Sequence, residues 1–337
     1  MNIGFTTSIP VEVIFASGNN PIDLNNIFIN NNPKELVKKA ELAGFPRNMC
    51  SWIKGMYSVI QKQDLDLIIG VIQGDCSNTH TLLDLLQDHA NHSLHQTEKK
   101  LQIFPFSYPF TRNYQELNKE ITKLENYFSV SREQTILVKK SLDCIRQKLV
   151  DLDTFTWQTN QVSSLENHTW LVSASDFKSN YNQFENELSS FLTEVKTRKP
   201  LQKHLRIGYV GVPPIINDLY TFIESLNTRV VYNEVQRQFS MFYLEQDIVQ
   251  QYRKFSYPYT LSERIQDIKT EIERRHLQGI IVYTQSFCHR QLELLTLKKY
   301  LNIPILPIEG DLPGNLDARN KLRIESFVEM LMLDQIL

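Results

Sequence analysis

Two cysteines stand at the ends of two widely separated apolar segments of this sequence, in the same short motif. The motif is Gln-x-x-Cys, and it occurs from Gln73 to Cys76 and again from Gln285 to Cys288. A cysteine thiolate is a nucleophile and a ligand for soft metals and iron–sulfur clusters. The repeated motif therefore predicts that both cysteines have a chemical role.

The apolar runs before these cysteines predict the elements that position them. They extend from Leu65 to Ile72 and from Gly279 to Tyr283, and β-branched runs of this length suit parallel strands that are buried on both faces. Residues just past the carboxyl ends of such strands line the binding crevice of an open α/β sheet. A helix-like pattern follows each cysteine, and a thiol at the start of a helix is expected to have a lowered pKa.

The chain has two further cysteines, which differ in their surroundings. Cys50 is expected where a loop enters a helix that begins near Trp52, whereas Cys144 lies inside a helical pattern. Three cysteines can bind three irons of a cubane and leave its fourth iron open to another ligand. Packing in the core remains the alternative for each cysteine, because buried cysteines often only fill space and no Cys-x-x-Cys pair is present.

Composition and charge narrow the class of protein. The chain has 4 Cys in 337 residues, too few for a secreted disulfide scaffold. With Lys+Arg 36 against Asp+Glu 38 the net charge is -2, which gives no electrostatic reason to bind nucleic acid. No leader-like segment opens the sequence, and no apolar run approaches the roughly 20 residues that cross a bilayer. We expect a cytoplasmic protein that binds neither nucleic acid nor a membrane.

The order of elements predicts an α/β protein with two similar Rossmann-like or flavodoxin-like domains, each with a parallel sheet, plus a helical insert. The first α/β domain is expected at residues 1–105, the helical insert and hinge at 106–200, and the second α/β domain at 201–337. Four apolar strands separated by helix-length intervals predict a four-stranded parallel sheet in the second domain. The first domain has fewer clear strands. A polar passage from Gln158 to Ser190 is expected to close the insert.

Short segments near both ends of the chain carry a resemblance to a known family. Near the N-terminal end these are Ser8–Ile14 and the turn Ser17–Pro21, and near the C-terminal end they are Ser286–Gln291, Ile303–Pro313 and Arg319–Leu331. They resemble the 2-hydroxyacyl-CoA dehydratase family, which includes the small subunits of benzoyl-CoA reductase and the double-cubane cluster proteins.

The resemblance implies a cofactor and partners. Cys50, Cys76 and Cys288 fall where the family has its cluster ligands, so it implies a 4Fe-4S cluster held by these three cysteines and bridged into a double cubane where two chains pair. It also implies a homodimer or a heterodimer with a related subunit, and a separate ATP-dependent iron–sulfur activator. The sequence has no Gly-x-x-x-x-Gly-Lys-Ser/Thr phosphate loop of its own.

The function implied is that of an oxygen-sensitive iron–sulfur enzyme, a lyase or an ATP-dependent reductase. It would pass single low-potential electrons to a small-molecule substrate such as a 2-hydroxyacyl-CoA, or eliminate water from it. Glu12 and Glu234 are candidate acids or bases, and Gln73 and Gln285 are candidates to hydrogen-bond the cluster sulfurs. The alternative from a different class is a non-catalytic iron–sulfur electron-transfer or accessory subunit.

Overall fold

The computed structural model describes residues 1–92, 101–201 and 204–333. The strands are β1 (Asn2–Phe5), β2 (Asn20–Asp23), β3 (Leu67–Gln73), β4 (Gln102–Ser107), β5 (Leu205–Gly211), β6 (Thr228–Asn233), β7 (Gly279–Gln285) and β8 (Ile305–Gly310). The helices are α1 (Val11–Ala16), α2 (Leu24–Asn30), α3 (Pro33–Leu42), α4 (Ser51–Lys62), α5 (Ser77–His92), α6 (Tyr114–Tyr127), α7 (Arg132–Trp157), α8 (Ser164–Ser173), α9 (Tyr181–Val195), α10 (Leu219–Ser225), α11 (Glu234–Phe239), α12 (Ile248–Lys254), α13 (Leu261–Arg275), α14 (Glu293–Tyr300) and α15 (Ala318–Leu333).

The strands form two four-stranded sheets with the same topology. Their orders are β2-β1-β3-β4 and β6-β5-β7-β8, and all neighbours are parallel. This is the order of the first strands of flavodoxin-like folds. Each strand of the first sheet thus has a counterpart in the second, so that β1 corresponds to β5 and β3 corresponds to β7. The prediction of an α/β fold with two similar parallel-sheet domains is confirmed.

The chain forms two compact units, which are interleaved along the sequence. Unit 1 consists of Met1–Arg146, Ser173–Phe184 and Tyr243–Thr260, and unit 2 consists of Gln147–Val172, Glu185–Phe242 and Leu261–Leu337. The first sheet lies in unit 1 and the second in unit 2. Residues of the predicted helical segment 106–200 contribute to both units. The predicted boundaries at residues 105 and 200 stay a prediction.

The second sheet shows why its strands could be predicted. All residues of β6 are buried, as are all but one of β5 and of β7, and on one face they pack against apolar side chains of α13 and α14. Burial of apolar area is the main favourable contribution to folding, at roughly 25 cal/mol per Å². At Gly279 a Cβ atom would lie 2.7 Å from Leu331 and 2.8 Å from Phe327, so the absence of a side chain lets α15 approach the start of β7.

Unit 1 has two edge strands whose composition is atypical of strands. β2 is Asn-Pro-Ile-Asp and β4 is Gln-Ile-Phe-Pro-Phe-Ser, and each is the outer strand of its sheet. Proline cannot donate a ladder hydrogen bond, and edge strands are where sheets tolerate it. This explains why the first domain showed fewer clear strands in its sequence. No helix in the described part of the chain is long and apolar enough to span a bilayer.

Candidate metal centre

Cys76 and Cys288 lie at equivalent positions in the two sheets. Cys76 follows the end of β3 by three residues and Cys288 follows the end of β7 by three residues. The strands β3 and β7 each pair with the first strand of their sheet, β1 in unit 1 and β5 in unit 2. The chain places its second strand on one side of that first strand and its third strand on the other, so the strand order reverses there. Ligands of open α/β sheets bind at this switch point, beyond the carboxyl ends of the strands. The repeated motif therefore reflects repeated geometry.

Each of these cysteines directly precedes a helical turn. The helix α5 begins at Ser77, and the Cys76 carbonyl accepts hydrogen bonds from the amides of Thr79 at 3.1 Å and His80 at 3.4 Å. In unit 2 a 3₁₀ turn begins at His289, the residue after Cys288, and α14 follows it. The first N–H groups of a helix lack partners within the helix. A thiolate before such a turn is next to hydrogen-bond donors.

The pKa of the Cys76 thiol is raised, contrary to the expectation from its helix position. Burial is the largest cause and the neighbouring Asp75 carboxylate is the next, while the hydrogen bond with the Thr79 hydroxyl acts in the opposite direction. The Cys76 sulfur lies 3.4 Å from the Thr79 hydroxyl oxygen. The expectation of a lowered pKa is therefore wrong for Cys76, because burial outweighs the hydrogen bonds. Metal coordination deprotonates a thiol irrespective of this preference.

Cys50 is the residue before α4, and a buried lysine fixes the loop that leads to it. The Lys54 amide donates to the Cys50 carbonyl at 3.3 Å. The Lys54 side chain is 0% exposed, and its ammonium group contacts the Glu41 carboxylate at 2.8 Å and the Arg47 carbonyl at 3.1 Å. These contacts join the end of α3, the loop and α4 around one buried cation. The sequence prediction that Cys50 lies where a loop enters a helix is confirmed.

The four cysteines differ in exposure, and the difference is compatible with three metal ligands and one cysteine that binds no metal. None is in a disulfide, and Cys50, Cys76 and Cys288 are half-buried whereas Cys144 is exposed. Sulfur donors beside helix starts suit a soft metal or an iron–sulfur cluster. Cys50 and Cys76 belong to unit 1 and Cys288 to unit 2. Among the described residues no group of three or more His, Cys, Asp or Glu is arranged to hold a metal ion, so the ligand set stays a prediction.

The two glutamines of the repeated motif have different surroundings. Gln73 is exposed, whereas Gln285 is 1% exposed. The Gln285 amide donates to the Asp311 carbonyl at 2.6 Å, and its oxygen accepts from the Tyr283 hydroxyl at 3.4 Å. A glutamine amide nitrogen carries two N–H groups, so Gln285 could keep this bond to Asp311 and donate its second N–H to a cluster sulfur. Hydrogen bonding to a cluster stays a prediction for both glutamines.

Glu12, a predicted acid or base, lies in a buried ion pair within unit 1. Its carboxylate is 0% exposed, is 2.8 Å from the Arg146 guanidinium, and accepts a hydrogen bond from the Tyr252 hydroxyl at 2.8 Å. Burial alone would lower the pKa of Arg146, but the nearby Glu12 carboxylate, with a smaller contribution from Asp143, raises it above its usual value. Arg146 therefore keeps its positive charge beside Glu12. A substrate would have to displace Arg146 or Tyr252 to use Glu12 as a base.

Glu234, the second predicted acid or base, is held by a buried arginine in unit 2. The Arg264 guanidinium donates to both carboxylate oxygens of Glu234, at 2.7 and 2.9 Å, and the Gly211 amide donates at 3.0 Å. Both charged side chains are 1% exposed. Charge-assisted bidentate pairs of this kind are strong and geometrically specific. The acid/base role of Glu234 stays a prediction that requires this arrangement to open.

Arg264 also connects this pair to the segment that carries Cys288. Its guanidinium donates to the Glu293 carboxylate, which accepts from Arg290 at 2.8 Å. Burial opposes the charge of Arg264, but the Glu234 and Glu293 carboxylates raise its pKa above the usual value. The result is a chain of charges from the start of α11 to the turn after Cys288. It holds this turn to the body of unit 2.

The sequence interpretation missed Arg264 and Arg146, although Arg264 left a signal. It lies on the face of α13 that also carries Ile265 and Ile268, and all three side chains are buried. A charged residue at an apolar position of a helical pattern must find a buried partner, because an unpaired buried charge is costly. The pattern can reveal that such a partner exists. Its identity depends on tertiary contacts.

A pair of buried carboxyl groups, those of Asp23 and Asp176, lies at the end of β2 in unit 1. The Asp176 carboxylate accepts from the Asp23 amide at 2.8 Å and from the Lys178 amide at 2.9 Å, and the Asp23 carboxylate accepts from the Ser175 hydroxyl at 2.6 Å. Burial, followed by the charge of Asp23, raises the pKa of Asp176 to about 7. Burial likewise raises the pKa of Asp23.

We expect the buried carboxyl group of Asp176 to make the stability of unit 1 depend on pH. An aspartate with a pKa of 3.8 when unfolded and about 7 when folded binds more protons in the folded state between these values. Its stabilising contribution is therefore complete at low pH and is lost as pH rises towards 7, by roughly 4 kcal/mol at most. Urea unfolding at pH 5 and at pH 8 should show that the free energy of unfolding falls less between these two pH values for Asp176→Asn than for the unaltered protein. Equal losses would contradict this assignment.

Taken together, the fold and the site define an α/β protein with two flavodoxin-like sheets and a cysteine at the switch point of each. The sequence model of the family described as 2-hydroxyglutaryl-CoA dehydratase, D-component, matches residues 6–331. The chain belongs to this family. The resemblance identified from the sequence is thereby confirmed, and membership supports the role of an enzyme subunit. A search of curated proteins found no match to the chain.

Proposed function

We propose that this chain is the cluster-carrying subunit of a 2-hydroxyacyl-CoA dehydratase-type enzyme. Cys50, Cys76 and Cys288 would hold a 4Fe-4S cluster, and the substrate would be a 2-hydroxyacyl thioester that loses water or a related thioester that is reduced. The observation that carries this proposal is the equivalent position of Cys76 and Cys288 at the two switch points in a chain that belongs to the dehydratase family.

The chain's own residues would bind and orient the group. When bound, a cluster with three cysteine ligands supplies a Lewis-acid iron and a low-potential electron. The helix starts beside Cys50 and Cys76 would stabilise the negative thiolates through their N–H groups. The half-buried state of the three ligand cysteines would limit access of water and oxygen. Arg264, through Glu293, would keep the turn after Cys288 in place.

The alternative is a non-catalytic iron–sulfur electron-transfer or accessory subunit. It would use the same three cysteines but would bind no substrate. The two functions differ in a measurable way, since only the enzyme subunit binds an acyl thioester.

Turnover is expected to require a separate ATP-dependent activator. The warrant is the absence of a phosphate loop from the sequence, together with family chemistry that needs a strongly reducing electron. Anaerobic holoprotein with an activator of this family should dehydrate a 2-hydroxyacyl-CoA when ATP is present, with 2-hydroxyhexanoyl-CoA and 2-hydroxyglutaryl-CoA as the two compounds assayed. It should be inactive with a non-hydrolysable ATP analogue. Turnover without activator or reductant would contradict the radical mechanism and would favour an ordinary Lewis-acid dehydratase.

The protein is also expected to act as a dimer, either of identical chains or with a related subunit. A double cubane bridged between two chains, as the resemblance to the double-cubane cluster proteins implies, would require three cysteines from each chain. Light scattering on the anaerobic holoprotein at micromolar concentration should give the mass of two chains when the protein is alone or mixed with its related subunit. A monomer under both conditions would argue against the bridged cluster.

A further inference from the structure

Unit 1 contains an apolar pocket near the first residues of α4 and α5. These are the helices that Cys50 and Cys76 directly precede. The pocket has a volume of about 290 Å³ and lies between α4, α5 and the loop after α3. Met49, which precedes Cys50, lines it, and so does Asn78, two residues after Cys76. The pocket continues along facing sides of the helices, past Ile53 on α4 and Leu85 on α5.

The lining of this pocket is mostly apolar and carries no charged side chain. Phe45, Tyr57 and Leu82 contribute to it, and the Phe45 and Tyr57 rings pack with their centroids 4.6 Å apart. All of its lining residues are in the described part of the chain, and none of them is Lys, Arg, His, Asp or Glu. Ligand pockets of this kind bind hydrocarbon groups, and their few polar groups fix orientation. Here the polar side chains are those of Tyr57, Asn78 and Thr81.

We propose that this pocket binds the hydrocarbon part of the acyl thioester, so that the substrate of this chain has an apolar acyl group. This inference rests on the proposed function. The family description refers to 2-hydroxyglutaryl-CoA, whose acyl group ends in a second carboxylate. A carboxylate in an apolar pocket is costly unless a cation pairs with it, and this lining provides none. A straight or branched aliphatic chain fits its chemistry.

Acyl-CoA compounds without a 2-hydroxyl group test the pocket, because they bind without being dehydrated. Calorimetric titration of anaerobic holoprotein should show tightening by about fourfold for each added methylene from butyryl-CoA to hexanoyl-CoA. Glutaryl-CoA should bind at least about tenfold more weakly than hexanoyl-CoA. Equal or tighter binding of glutaryl-CoA by the unaltered protein would overturn the inference.

Two variants tie the result to this pocket. Ala43→Trp places a large ring at a lining position and should weaken hexanoyl-CoA binding to the level of butyryl-CoA. Leu85→Lys adds a cation to the lining. It should reduce or reverse the difference in affinity by which hexanoyl-CoA binds more tightly than glutaryl-CoA. The matched control is Leu42→Trp, since Leu42 is 78% exposed and does not line the pocket. Unchanged hexanoyl-CoA binding in Ala43→Trp would contradict the inference.

The proposed function and the pocket can fail separately. Iron and sulfide analysis of the same preparations reports on the three-cysteine site. Iron-loaded protein that lacks any dependence on chain length would refute the pocket alone. Protein that binds no iron but prefers hexanoyl-CoA would refute the cluster and support the pocket.

Discussion

Replacing Cys288 by alanine should remove most of the iron from the anaerobically purified protein. Cys288→Ala takes away one of three thiolates, and a cluster held by the remaining two loses both affinity and protection from solvent. Iron should fall from roughly four atoms per chain, the content of one cubane, to about one or fewer. Cys50→Ala and Cys76→Ala should behave alike. The measurement is iron content after gel filtration without reconstitution.

Cys144→Ala is the matched control for these variants. Cys144 lies in the long helix α7 and is exposed, so its removal should leave the iron content unchanged. Circular dichroism should show that all the variants remain folded. Full iron retention in Cys288→Ala, or iron loss in Cys144→Ala, would refute the ligand assignment.

Arg264→Met should destabilise unit 2 by about 3–5 kcal/mol. The substitution leaves the Glu234 carboxylate, which is 1% exposed, buried without its cation. It also releases Glu293 from the chain of charges that fixes the turn after Cys288. We therefore expect a lower free energy of unfolding in urea and faster loss of iron to a chelator. Arg264→Lys should recover part of the stability, because it restores the charge without the bidentate geometry.

Two comparisons make this prediction specific. Arg274→Met alters an arginine on the same helix that is 46% exposed, and such a change should cost no more than about 1 kcal/mol. Adding Glu234→Gln to Arg264→Met should recover part of the loss, because the buried carboxylate is then neutral. If Arg264→Met were as stable as Arg274→Met, the buried pair of Arg264 and Glu234 would not stabilise unit 2.

The sequence reveals all four strands of the second sheet and misses the two edge strands of the first. The apolar runs at Leu205, Arg229, Gly279 and Ile303 correspond to β5, β6, β7 and β8. The strands β5 and β7 are central, and central parallel strands are buried on both faces and need continuous apolar character. The edge strand β6 is also buried along its whole length, and its middle residues are apolar for the same reason. The strands β2 and β4 of the first sheet are edge strands that contain proline and polar residues. Neither their composition nor their hydrophobic periodicity therefore identifies them as strands.

Helices in the polar passage were also hidden in the sequence. The polar composition of the passage from Gln158 to Ser190 gave no indication of helices, but the passage contains α8 and the start of α9. The helix α9 buries Phe184, Leu188 and Leu192, at a spacing of four residues that fits one helical face. The intervening polar residues lower the mean hydropathy and obscure this periodicity.

The candidate site shows the same division between local and tertiary information. The positions of Cys50, Cys76 and Cys288 before helical turns follow from local patterns. The difference between the exposed Gln73 and the buried Gln285 does not, since both occupy the same place in their motifs. The partners of Glu12 and Glu234 are likewise distant in sequence. Contacts of this kind require the folded chain.

The most direct test of the central claim is an analysis of iron and acid-labile sulfide in anaerobically purified protein, combined with the EPR spectrum of its reduced form. One cluster held by Cys50, Cys76 and Cys288 predicts about four irons and four sulfides per chain, with a spectrum typical of a reduced cubane. Protein that contains neither iron nor sulfide after anaerobic reconstitution and gives no cluster signal would contradict the claim.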